Sequence, residues 1–363
     1  MLTAISRRAL GHCLRTWSRL YRILFLVAMG ACSRESTEPV TRSFASMGTQ
    51  ASVTVAAEYR DRLPELTEAV HEVLRRLEDQ LSTYRSDSEI SRLAAAAGRF
   101  PISVSADTRR ILELARRYGE LSRGAFDVTV APLVQLWGFG RRARHSVPDP
   151  EVIEDRLRLV NFRSIELQGG SAFLPAGMSL DLGGIGKGFA VDKAVEVLRR
   201  SGVRAAMVDL GGNIRVLGQA EPGTSWTIGI RNPFESERVL GVIKLPDGMA
   251  VATSGNYERF VEIGGRRYSH IIDPRTGYPV EGMAGVTVVS PDATGSDALS
   301  TALFVLGVES GFEVLKDVPG TEALFIRDRD PVELWLTPGM ATLFTAVPEY
   351  EPAIRVLSAE ARK

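Results

Sequence analysis

Cysteine is nearly absent: Cys13 and Cys32 are the only two in 363 residues. Cys13 falls inside a basic and apolar leader, so the chain beyond it holds one cysteine and an internal disulfide is excluded. Long apolar runs are missing too. Ile23 to Met29 (ILFLVAM) is seven residues, where a membrane-spanning helix needs about 20. Nor is there any net charge over the whole chain. Arg7, Arg8, Arg15, Arg19 and Arg22 stand in residues 1–31 without an acid, leaving 39 basic and 44 acidic side chains, a net charge near −5, for the rest. Such a body does not attract a polyanion, which argues against nucleic acid as partner. Low-complexity tracts are few and no short-period repeat is present. With 44% hydrophobic and 24% charged residues, the chain can bury one large core or two modest ones.

What is present at the amino terminus reads as an export leader. The five arginines run into ILFLVAM and then Gly30, Ala31 and Cys32, the basic, apolar and small-residue order of a signal peptide, so residues 1–31 are expected to be removed. Gly30 and Ala31 before Cys32 resemble a bacterial lipobox, with Met29 where such boxes usually carry Leu. Cys32 is therefore the expected lipidation site; the alternatives are an ordinary secretory signal or a lone buried cysteine. Arg7-Arg8 after Ser6 also fits twin-arginine export. The polar residues after Cys32 read as a tether. The expected organisation is leader 1–31, tether 32–42, folded domain 43–350 and tail 351–363. The expected location is the periplasmic face of a bacterial membrane, and Ser33 after Cys32 leaves outer-membrane sorting open.

Residues 43–57 (SFASMGTQASVTVAA) alternate apolar and polar, with β-branched Val53, Thr54 and Val55, which predicts a half-buried first strand. Leu66, Val70, Val73, Leu74, Leu77 and Leu81 recur at spacings of three and four and predict a core-facing helix from about Pro64 to Leu81. A second helix is predicted after Ser105 as N-cap, with Ile111, Leu114, Ala115, Tyr118 and Leu121 inward and its end before Gly124; a short one follows Pro150. Downstream, a helix over 188–200 precedes the strands RAAMVDL, IRVLG, WTIGI, VIKLP and VEIGG, joined by Gly, Asn and Pro turns. A last helix is predicted from Ser296, with Leu299, Ala302, Leu303 and Leu306 inward, then strands ALFI and ELWL. Runs of short strands broken by a few helices predict an α+β fold, mainly antiparallel sheets with packed helices, in a single compact unit open to division into two subdomains.

Chemistry concentrates in three clusters. Residues 181–188 (DLGGIGKG) are not a Walker A loop, because Gly188 follows Gly186-Lys187 where Ser or Thr must reach the magnesium. Nor are they a dinucleotide fingerprint: Gly184 and Gly186 fit its first two places, but Phe189 fills the third, where a side chain blocks close helix packing. A glycine turn opening a helix still lets backbone N–H groups approach an anion, with Lys187 adding a point charge; the alternative is a plain tight turn. In SDALST (296–301), Asp297 and Thr301 stand at i and i+4 on one helix face, a carboxylate and a hydroxyl suited to magnesium. Alternatively Ser296 and Asp297 cap the helix and Thr301 bonds back to its own turn. In YSHIIDPRTGYP (268–279), His270 precedes an Asp-Pro turn with Thr276-Gly277, a loop that positions rather than packs, although a lone His is usually structural.

In this order the clusters resemble the FAD:protein FMN transferase family, once known as thiamine-biosynthesis lipoproteins, over nearly all the chain beyond the leader. The likeness is carried by MGT (47–49), LSTY (81–84), GAFDVTVAPLVQLWGFG (124–140), DLGGIGKG, VDLGGN (208–213), ATSGNY (252–257), SHIIDP (269–274) and SDALSTA (296–302). The resemblance implies a flavin site contacted by Met47, Tyr84, Ala125, Phe126, Asp127, Asp181, Lys187 and Ile272, with magnesium held by Asp297, Thr301 and the backbone of Gly184. It implies transfer of FMN from FAD onto a Thr or Ser hydroxyl of a target protein, release of AMP, and respiratory electron-transfer subunits as acceptors. Many relatives carry Ala where this chain has Gly186, which loosens the turn without removing a polar contact.

These residue types suit that reaction, because breaking a diphosphate calls for charge neutralisation more than covalent chemistry. Magnesium would bridge diphosphate oxygens while Lys187 and glycine N–H groups hold the others. His270 is the candidate base for the acceptor hydroxyl. Tyr84 and Phe126 would offer stacking surface or be ordinary core. Two other functions share these residues: an FAD diphosphatase that uses water and yields FMN and AMP, and a flavin-binding lipoprotein without turnover, against which the Asp297 and Thr301 pair argues.

Overall fold

The structure, a computed structural model, describes residues 38–139, 146–221, 223–235, 237–257 and 260–358; the leader, Cys32 and Gly140 lie outside them. Residues 43–57 do not form one strand. β1 (Val40–Ser46) turns at Met47 and Gly48 into β2 (Thr49–Val55), pairing Val40 with Val55 and Ser46 with Thr49. Met47 (φ 48°) and Gly48 (φ 72°) both take the left-handed conformation that a two-residue hairpin turn needs. Met in place of the usual Asn or Asp hides that turn from sequence patterning. β1 also begins ahead of Ser43, within the stretch read as tether.

The helices follow their apolar stripes. α1 (Leu63–Leu81) buries Leu66, Val70, Leu74, Leu77 and Leu81, as the spacing predicts. α2 (Glu89–Ala96) was not predicted; Ser88 starts it by accepting from the Ser91 N–H at 3.0 Å, and eight residues are too few to print a clear period. After β3 (Ile102–Ser103), α3 (Ala106–Leu121) is capped as expected by Ser105, which accepts from the Thr108 N–H at 3.2 Å. α4 (Ala131–Trp137) stops at Gly138 (φ 83°), and α5 (Pro150–Leu157) opens on Pro150. β4 (Glu166–Gln168) and β5 (Ser171–Phe173) complete a small sheet in the order β3-β5-β4.

α6 (Gly186–Arg200) leads into β6 (Ala206–Leu210) and β7 (Asn213–Leu217). There follow β8 (Trp226–Arg231), β9 (Val239–Leu245), β10 (Ala250–Gly255), β11 (Phe260–Ile263), β12 (Arg266–Ser269) and β13 (Met283–Ser290). α7 (Ala293–Leu315), β14 (Glu322–Arg327), β15 (Leu334–Leu336), α8 (Met340–Leu343), β16 (Phe344–Ala346) and β17 (Ile354–Val356) come last. The main sheet has nine strands in the order β1-β2-β6-β7-β10-β13-β14-β15-β17, antiparallel except for β15 with β17. β17 lies in the stretch read as tail, yet it adds an edge to that sheet. Glu38–Lys363 forms one compact unit of the expected α+β type, without division into two subdomains.

Each face of the sheet carries a core. Val53, Val208, Ala250, Val286 and Val288 pack with Leu74, Ile111, Val191 and Leu303 of the helices. Ile214, Val216, Val251, Val289 and Leu324 meet Ile228, Ile243 and Phe344 of a second, three-stranded sheet ordered β16-β9-β8. β13, covered on both faces, is buried at every residue.

α7 begins earlier than Ser296. Its N-cap is Asp292, whose Oδ1 accepts from the Gly295 N–H at 2.6 Å. Asp192 on α6 takes the next free donors, the N–H groups of Ala293 at 2.8 Å and Thr294 at 2.9 Å, and pairs with Arg215 Nη1 at 2.6 Å. Asp297 therefore lies one turn inside the helix, and the capping alternative for Ser296 and Asp297 fails.

Candidate active site

The site begins with an Asx turn. Asp181 N–H donates to the Val128 carbonyl at 2.7 Å, and Asp181 Oδ1 accepts from the Gly183 N–H at 2.7 Å. Gly186 N–H donates to Leu182 O at 2.7 Å, which starts α6 at Gly186 instead of Gly188. At Gly188 a Cβ would fall 2.1 Å from the Ala293 carbonyl oxygen, so only glycine lets the two helices meet this closely. Gly188 N–H then donates to Asp297 Oδ2 at 2.8 Å. The N–H groups of Gly183, Gly186 and Gly188 are thus committed within the protein, which corrects the expectation that they cradle an anion. That leaves the Gly184 N–H and Lys187 for the task.

Lys187 Nζ stands 4.0 Å from Asp297 Oδ1 and donates to the Gly183 carbonyl at 3.4 Å. Asp297 is 4% exposed; burial pushes its carboxyl above the ordinary carboxylate range, while the Lys187 charge and the N–H groups of Gly188 and Lys187 oppose that rise. One turn on, Thr301 Oγ1 lies 3.4 Å from the Asp297 carbonyl, the back-bond foreseen for it, and 3.2 Å from Ser254 Oγ. A Cβ on Gly184 would meet Thr301 Oγ1 at 2.9 Å and Phe126 Cε2 at 3.2 Å. Gly184, Lys187, Asp297, Thr301 and Phe126 therefore form one cluster. Among the described residues no three His, Cys, Asp or Glu side chains gather at one point. This cluster instead offers one carboxylate, one hydroxyl and peptide oxygens, the hard donors that suit a magnesium ion completed by phosphate and water.

Of the other predicted residues, Phe126 touches this cluster beside Gly184, and the rest lie on separate segments. Ala125 and Phe126 are buried, and the Phe126 N–H donates to Ser122 Oγ at 2.9 Å. Asp127 uses both oxygens locally: Oδ1 accepts from the Thr129 N–H at 2.7 Å and hydroxyl at 2.6 Å, Oδ2 from the Phe162 N–H at 2.9 Å. Burial raises its carboxyl and those bonds oppose the rise. Its side chain shapes the loop. Met47 donates its N–H to Glu78 Oε2 at 3.2 Å, and Thr49 Oγ1 lies 2.6 Å from where a Cβ on Gly211 would sit, so the MGT and GGN turns abut. Tyr84, 64% exposed, stands on the loop after α1. Ile272 is buried with Leu133, Leu136, Trp137 and Ile153, while half-buried His270 follows β12. Their loop leans on the Ala125 segment: Trp137 Nε1 donates to the Gly277 carbonyl at 2.8 Å, and the Arg275 stem passes 4.0 Å from the Cβ position of Gly124.

Sequence reading gave no role to Ser254, although it lies in ATSGNY. Its hydroxyl meets those of Thr301 and Ser300, the latter at 2.8 Å. The only signal for it is strand alternation, which places Ser254 on the same face as Ala250 and Ala252.

Residues 47–325 match the ApbE family. The chain belongs to that family. It is 37% identical over 326 residues to the FAD:protein FMN transferase of Treponema pallidum (strain Nichols), covering 84% of this chain and 89% of that relative. It is 38% identical over 271 residues to the FAD:protein FMN transferase of Klebsiella pneumoniae (strain 342), covering 73% and 83%. Among ApbE structures, the flavin transferase from Vibrio cholerae aligns with a TM-score of 0.75 at 33% identity, covering 84% of this chain and 99% of that one. The apo flavinyl transferase from Pseudomonas stutzeri gives 0.75 at 31%, covering 85% and 98%.

Proposed function

We propose that this ApbE-family chain transfers FMN from FAD onto a Thr or Ser hydroxyl of a target protein and releases AMP. The observation that carries the proposal is the convergence of Lys187, Asp297, Thr301 and Gly184 at the α6 and α7 contact. Asp297, Thr301 and the Gly184 carbonyl would hold magnesium, which when bound supplies neutralisation of the diphosphate charge. Lys187, with its side chain 33% exposed, offers its ammonium to a diphosphate oxygen at the rim. The Gly188 N–H fixes the Asp297 carboxylate in place before substrate arrives. His270 takes the proton of the acceptor hydroxyl, and Tyr84 offers an aromatic face.

The leader and Cys32 extend the proposal to location: export, lipidation at Cys32 and attachment to a bacterial membrane facing the periplasm. The support is the arginine-rich start, the short apolar run and the Gly30-Ala31-Cys32 junction. Acceptors there are respiratory redox subunits.

The test is incubation of the protein with FAD, magnesium and a candidate periplasmic redox subunit. Flavin fluorescence on the denatured subunit and a mass gain of one FMN are expected. Free FMN in place of labelled subunit would mean hydrolysis, and no product at all would mean passive flavin binding; either overturns the transferase reading.

A further inference from the structure

Three buried polar side-chain atoms among the described residues meet no hydrogen-bond partner: Gln80 Oε1, Asn213 Oδ1 and Arg327 Nε. Gln80 and Arg327 are half-buried side chains, whereas Asn213 is only 4% exposed. An amide oxygen removed from water without a donor is unfavourable, and folded proteins keep few such groups.

The strand register places Asn213 on the face of the sheet that carries the site. Ile214 and Val216 enter the core against the small sheet, so by alternation Asn213 shares the opposite face with Arg215 and Leu217, the face under α6 and α7. On that face Arg215 reaches Asp192 of α6. β6 starts just past the end of α6 and runs back along it, so the turn into β7 returns to the α6 start. Asn213, at the beginning of β7, is thus nearer Lys187 and Gly188 than Arg215 is. The β7–β10 register agrees. Arg215 opposes Ala250 and Ile214 opposes Val251, which puts Asn213 level with Ala252, one same-face step from Ser254 and its contact with Thr301 at 3.2 Å.

We infer that Asn213 is a further binding residue of this site, its buried Oδ1 accepting a hydrogen bond from a hydroxyl or ring N–H of the flavin nucleotide. The inference rests on the reading of the site as one for FAD. A phosphate oxygen has no proton to give, so the partner is a sugar-chain hydroxyl or a ring N–H. A neutral amide suits the place, because a further carboxylate on this side of the sheet would repel the diphosphate.

Asn213→Leu keeps the volume and removes the polar end; Asn213→Ala removes it without demanding shape. The Kd for FAD is measured by calorimetric titration with magnesium present, and the melting temperature without FAD. Both variants are expected to bind FAD about tenfold more weakly, the loss of one hydrogen bond. The FAD-free Asn213→Leu protein should melt no lower than wild type, because Oδ1 has no protein donor to lose. An unchanged Kd in either folded variant overturns the inference, and so does failure of both variants to fold, which would make Asn213 structural. If wild type itself does not bind FAD, the reading of the site falls, and the inference with it; equal binding by wild type and variants sinks the inference alone.

Discussion

Gly188 gives its N–H to Asp297 Oδ2 at 2.8 Å, across the point where α6 and α7 touch. The backbone of one helix thereby orients the carboxylate of the other, and the absence of a Cβ at 188 is what allows the approach.

Gly188→Ala should therefore act on fold and site together. Its Cβ would stand 2.1 Å from the Ala293 carbonyl oxygen and 2.7 Å from Asp297 Cβ, so the helices must part. A loss of about 1–3 kcal/mol is expected, together with loss of magnesium-dependent AMP release. Thermal melting and AMP assay on one sample check it, and a wild-type melting temperature refutes it.

Asp297→Ala should leave the fold standing, since it removes a carboxylate held in a poorly solvated place. Magnesium should raise the melting temperature of wild type, by binding the native state, and leave the variant unmoved. AMP release should vanish. Full activity in the purified variant would sink the metal assignment.

Asp192→Ala strips α7 of two N–H partners and leaves Arg215, 14% exposed, without its charge partner. Breaking this part-buried pair from one side and leaving polar partners unsatisfied costs about 1–3 kcal/mol. Denaturant unfolding should report a loss of that size; one below about 1 kcal/mol would show the helix start to be held otherwise.

Burial pushes the Asp209 carboxyl above its ordinary value, with the Gly212 N–H at 2.8 Å opposing. The folded protein binds that proton more tightly than the unfolded chain. Its contribution to stability is fully present below the unfolded pKa and lost as pH rises through the folded one. Asp209→Asn keeps an oxygen for Gly212 and no longer titrates. Its melting temperature should exceed that of wild type at neutral pH, and the gap should close below about pH 3.8, the ordinary carboxylate value. A gap independent of pH refutes this.

The helices α1 and α3 were legible because their stripes span several turns and Ser105 marks a cap. The Met47-Gly48 turn was not, since its φ values are imposed by the pairing of β1 with β2. The start of α7 was misplaced because two of its N–H groups are satisfied from Asp192, 101 and 102 residues away in sequence. Asp297 and Thr301 could be placed on one face from spacing alone. That Gly188 donates to one of them, and that Ser254 meets the other, depends on tertiary contacts no local pattern encodes.

The hairpin at the start of the domain has a mechanical consequence. β1 is one of the two edge strands of the nine-stranded sheet, and Val40, at its beginning, pairs with the far end of β2. Tension drawn through the residues ahead of Glu38 would load the β1–β2 ladder from its open end, one pair at a time. The strand would peel like a zipper long before β13, buried at every residue, felt the pull.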